Sequence, residues 1–107
     1  MNWYAIRTIY HFGVKANGIN VFEERIVGFS AASSETAHSK AEVESAAYAA
    51  QNGFIAHSEQ MSYQQDGSPL LDGYELWSEL FEARCTLDEF YALRYGKFLY
   101  EPELPNG

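Results

Sequence analysis

A single cysteine, Cys85, stands in this chain, so no internal disulfide can form. A lone thiol fits a reducing compartment. Basic residues are also scarce, with 7 Lys and Arg against 15 Asp and Glu. That balance disfavours nucleic acid and anionic membranes as partners, because a negative field repels phosphates. No apolar run approaches the roughly 18 residues needed to span a bilayer. The opening stretch, Met1 to Arg7, has no basic region followed by an apolar one, so it does not read as a signal peptide. The expectation is a cytoplasmic protein. Glycine-rich phosphate loops are missing as well: Gly67-Ser68 and Asp72-Gly73 are turn glycines.

What remains is aromatic and apolar. Aromatics make up 16% and apolar residues 47% of 107 residues, which excludes disorder and suits one domain with a single core. A chain of this length buries roughly 60 to 70% of its unfolded surface, enough to fold without staples. The net charge of −8 is unevenly spread. Residues 1–58 are nearly neutral and residues 90–107 are neutral. Residues 59–89 hold eight acids against Arg84 alone, a net of −7.

Residues 3–12 are dominated by β-branched and aromatic side chains and predict a strand. Tyr4, Ile6, Thr8, Tyr10 and Phe12 share its more continuously apolar face and are expected to meet the core. Asn17-Gly18 suits a tight hairpin turn. A second strand over 20–32 completes the hairpin, with Gly28 marking a bulge or a close backbone approach. Ser33-Ser34-Glu35 opens a helix that runs to about Gln51 and stops at Asn52-Gly53. Its alanines, with Val43 and Tyr48, supply a packing stripe that lets it lie close to a sheet. Residues 54–63 form a weaker third strand, and Gln64 to Pro69 a loop. Residues 73–85 fit helix or strand; a third strand in need of a partner favours strand. Thr86-Leu87-Asp88-Glu89 is a capping box opening a helix to Tyr95, stopped by Gly96. The order is ββαββα, an α+β fold in which helices pack on an antiparallel sheet, with residues 96–107 as an extended tail.

Few constellations carry chemistry. His11, His38 and His57 lack metal-ligand spacing; His57 and Glu59 share a strand face, but two ligands fall short of a zinc site. Cys85 sits before a helix, where a dipole favours thiolate, yet a buried core thiol fits its neighbours better. Glu23 and Arg25 share a strand face and read as an ion pair, with Arg7 across the hairpin as a further partner.

Three stretches resemble an uncharacterised bacterial family, domain of unknown function 4288. They are Trp3-Tyr4-Ala5, the strand Phe22-Glu23-Glu24-Arg25-Ile26-Val27, and the helix opening Ser33-Ser34-Glu35-Thr36-Ala37. The segment Tyr74 to Arg94 fits the same pattern. The resemblance implies a small stand-alone bacterial domain and assigns no activity and no functional residue. By size and charge, the chain is also similar to immunity proteins that neutralise toxin domains.

The expected function is binding rather than catalysis, with no cofactor and no metal. The acidic region would hold a basic protein partner, in its concrete form a nuclease-type bacterial toxin whose phosphate-gripping cations meet carboxylates instead. The candidate contact residues are Glu59, Asp66, Asp72, Glu75, Glu79 and Glu82, with Tyr74 or Trp77 as aromatic anchor. Two alternatives stand beside it: a small enzyme or metal-binding protein centred on Glu23, Arg25, Arg7 and His11, and a homo-oligomeric module that covers an exposed sheet edge with a second copy.

Overall fold

The computed structural model describes residues 1–65, 72–73 and 75–103. Apolar side chains on both faces suit the first strand to the centre of a sheet, and that is where it lies. β1 (Asn2–Val14) is flanked by β2 (Asn20–Ala31) and β3 (Ile55–Gln65) in an antiparallel sheet of order β2-β1-β3. The hairpin register runs from Asn2 opposite Ala31 to Val14 opposite Asn20, with an irregularity between His11 and Gly13. β3 pairs with β1 from Trp3 opposite Gln65 to His11 opposite Ile55, with a second irregularity between Thr8 and Tyr10. Only Gly18 takes the positive φ of the hairpin turn (86°). Asn17 acts through its side chain, whose Oδ1 accepts from the Ile19 N–H at 3.0 Å.

The helix α1 (Ser34–Asn52) crosses one face of the sheet and touches all three strands. Ser33 caps it, its Oγ accepting from the Thr36 N–H at 3.2 Å. Gly53 ends it in the left-handed conformation, at φ 73°. The buried stripe is Ala37, Ala41, Ser45 and Ala49, one residue every four positions. Such short side chains bring the helix axis close to the sheet. They face Tyr4, Ile6, Thr8 and Tyr10, all buried as the strand pattern predicts. Two expectations about this core are corrected. Val43 lies off the stripe and is 74% exposed. Phe12 sits beyond the end of the helix and is part-exposed, packing on Phe54 at 4.7 Å between ring centroids. Gly28 marks no bulge; it pairs with Ala5, and a Cβ there would stand 3.9 Å from the Trp3 ring.

The opposite face of the sheet carries Trp3, Arg7, Ile9 and His11, and residues around Glu79 and Arg94 lie against it. The expected fourth strand does not form: residues 75–83 take no regular secondary structure. Side chains hold this segment instead of a backbone ladder. Gln65 Nε2 donates to the Leu76 carbonyl at 3.3 Å, the Tyr63 hydroxyl donates to Glu75, and Arg7 donates to Glu79. The physical reason is its composition, because neither alternating set is apolar enough to fill a sheet position; Leu80 is left 96% exposed. Beyond it, Thr86 caps a short helix α2 (Leu87–Tyr91), accepting from the Glu89 N–H at 3.2 Å, which is the hydroxyl half of the expected capping box. The expected helix to Tyr95 changes character at Ala92, where a π-helical turn runs to Gly96. Cys85 is half-buried rather than a core residue. Among the described residues no helix is long and apolar enough to cross a membrane.

Candidate functional site

The eight candidate contact residues separate into distinct environments. Glu59 lies on β3 with its side chain exposed, and its backbone N–H donates to His57 Nδ1 at 3.0 Å. Asp72 is exposed in a turn whose next residue, Gly73, takes φ 81°. Glu75 and Glu82 are exposed on the segment that crosses the sheet. Asp66 and Tyr74 lie outside the described residues.

Trp77 and Glu79 point inward instead. The Glu79 carboxylate accepts from Arg7 Nη1 at 2.9 Å and from the Trp77 indole at 3.4 Å. The Arg7 guanidinium stands 5.6 Å from the centroid of the Trp77 ring, within cation–π range, and Tyr63 lies against the same ring at 6.0 Å. The cluster extends through Glu24 on β2, which lies 3.9 Å from Arg7 and 3.6 Å from Arg94. Arg94 in turn stands 5.3 Å from the Phe81 ring centroid. Charges of alternating sign, Arg94–Glu24–Arg7–Glu79, thus tie two points of the C-terminal segment to the sheet. Glu24 is the residue that sequence reasoning missed here, and Arg7, expected beside Glu23 and Arg25 across the hairpin, pairs with Glu79 and Glu24 instead. The two-residue periodicity put Arg7 on the outer face of β1, but nothing local shows that the face is covered by residues 72 positions away.

The carboxylates left open are therefore Glu59, Asp72, Glu75 and Glu82. None of them forms an ion pair among the described residues, and Glu75 accepts only the neutral Tyr63 hydroxyl.

A second constellation, on the helix face of the sheet, satisfies itself internally. Arg25 pairs not with Glu23 but with Glu44 of α1, through both guanidinium nitrogens, one of them at 2.9 Å. Its guanidinium also lies 3.8 Å from the Tyr48 ring centroid and donates to the Tyr10 hydroxyl at 3.3 Å. The Glu44 hydrogen bond holds Arg25 protonated beyond its already high ordinary range. Glu23 accepts from the Tyr48 hydroxyl at 2.8 Å, and that bond pushes the phenol above its ordinary value. Arg7 and His11 stand opposite Ile26 and Phe22, and so belong to the other face of the sheet. Thus the four residues of the enzyme reading do not converge on one point. No group of three or more metal-ligating side chains converges among the described residues.

Neither a family model, nor a curated protein, nor a solved structure matches this chain.

Proposed function

We propose that this protein is a binding module whose acidic C-terminal region holds a basic protein, with toxin neutralisation as its concrete form: an immunity or antitoxin protein set against a nuclease-type domain. One observation supports this reading above the others. Glu59, Asp72, Glu75 and Glu82 are all exposed and form no ion pair among the described residues, within a stretch whose net charge is −7. Carboxylates arranged in this way raise association rates with cationic surfaces and reject anionic ones. Trp77 and Glu79 take a different part from the one their composition suggests. They fasten the acidic segment to Arg7, so that it meets a partner already ordered, which lowers the entropy lost on binding.

The experiment is affinity capture from the native cell with two baits. One is the unaltered chain. The other carries Glu59→Gln, Asp72→Asn and Glu82→Gln, all at exposed positions that leave the Arg7 cluster intact. A basic protein retained by the first and lost by the second supports the proposal. A partner retained equally by both overturns it.

A further inference from the structure

The chain carries seven Lys and Arg residues, and three of them, Lys15, Arg94 and Lys97, line a single groove. The groove lies between the β1–β2 turn and residues 94–101, with a volume of about 800 Å³. Ile9 and Phe22, on the outer face of the sheet, line it together with Phe98 and Leu99. Phe22 is 64% exposed and Phe98 81%, so this is apolar surface open to water, of the kind that marks binding sites on small soluble domains.

Its charge runs against that of the molecule. Glu24 and Glu101 also line it, so the groove has a formal charge of +1 in a chain of −8. Arg94 is offset by Glu24 at 3.6 Å. Lys15 donates to the backbone carbonyl of Glu101 at 2.9 Å, which satisfies a donor without neutralising the ammonium. Lys97 is exposed and forms no ion pair among the described residues. An apolar trough with ammonium groups at its rim selects for a ligand with one apolar part and one negative part. We propose that this groove binds an amphipathic monoanion, an elongated apolar body bearing one carboxylate, with the body against Phe22, Ile9 and Leu99 and the carboxylate on Lys97 and Lys15. The volume lies within the span of roughly 300–1,000 Å³ usual for small-molecule sites. None of these residues belongs to the acidic set proposed above, so either site can fail without the other.

The test is calorimetric titration of the whole chain with dodecanoate kept below its micellar concentration. Saturable binding of one dodecanoate per chain is expected, with dodecyltrimethylammonium, of the same tail length and opposite charge, weaker by about tenfold. Lys97→Glu should weaken dodecanoate by about fivefold. Phe22→Ser, also at an exposed position, should weaken it by a similar factor, with circular dichroism unchanged in both variants. Three results overturn the proposal: no saturable dodecanoate binding, equal binding of the cationic amphiphile, or affinity indifferent to both substitutions. A dimer in sedimentation that Phe22→Ser dissociates overturns it as well.

Discussion

Arg7 on β1 and Glu79 on the C-terminal segment meet at 2.9 Å across the outer face of the sheet, 72 positions apart in the chain. The Arg7 side chain is only 13% exposed and that of Glu79 22%, so the pair is partly shielded from water. It stands where a fourth strand was expected and does part of that strand's work. Removing one partner strands the other in a place of reduced hydration.

Glu79→Gln should therefore cost about 1.5–3 kcal/mol of stability, the range for a hydrogen bond to a charged group. Arg7→Met should cost more, because it also loses Glu24 and the Trp77 ring. Urea denaturation gives the magnitudes. Hydrogen exchange locates them: the hydrogen-bonded amides of residues 90–96 should lose protection in both variants while α1 keeps its own.

Packing of α1 gives a sharper contrast. Ala41 is buried against the sheet and Val43, two residues on, is exposed. Ala41→Leu adds methylenes where the helix has no space for them and should destabilise by about 1–3 kcal/mol. Val43→Ala should change stability by less than about 0.5 kcal/mol. Equal effects would place the helix in a different rotation.

Alkaline stability reports on Tyr48. Its hydroxyl donates to the Glu23 carboxylate, so deprotonation in the folded state is opposed and its midpoint lies above the ordinary 10.0. A folded midpoint above the unfolded one contributes stability that is fully present below the unfolded value. That stability is lost as the pH rises towards the folded midpoint. The unaltered protein should therefore lose stability as the pH climbs above 10.0, and Tyr48→Phe should show a shallower loss over the same interval. Denaturation curves at stepped pH values check this. Arg25 adds no pH dependence in that interval, because it stays protonated throughout.

The strands, the helix α1 and both N-caps were legible because their signals are local. Alternation marked Tyr4, Ile6, Thr8 and Tyr10; hydroxyl caps marked Ser33 and Thr86; glycines marked Gly18 and Gly53. Residues 75–85 were not legible, because their conformation is set by distant side chains. Leu76, Trp77, Leu80 and Phe81 suggest a helical face, and the alternating set suggests a strand. Arg7 decides between neither, holding Trp77 and Glu79 by charge and ring contact alone. The candidate site was legible in its sign and not in its membership. Composition located the charge in residues 59–89, but which carboxylates remain without a cationic partner depends on which one Arg7 engages. The pairing of Arg25 with Glu44 was hidden for the same reason, since a helix residue supplies the carboxylate that the strand pattern assigned to Glu23.

Recruitment of a basic protein partner by open carboxylates is an electrostatic process and so depends on salt. The most direct measurement is the association rate of the captured partner, followed by stopped flow from about 50 to about 500 mM salt. A steep fall in association rate with ionic strength is expected, with little change in dissociation rate and a flatter salt dependence for the Glu59→Gln, Asp72→Asn, Glu82→Gln variant. An association rate indifferent to salt in the unaltered protein would contradict it.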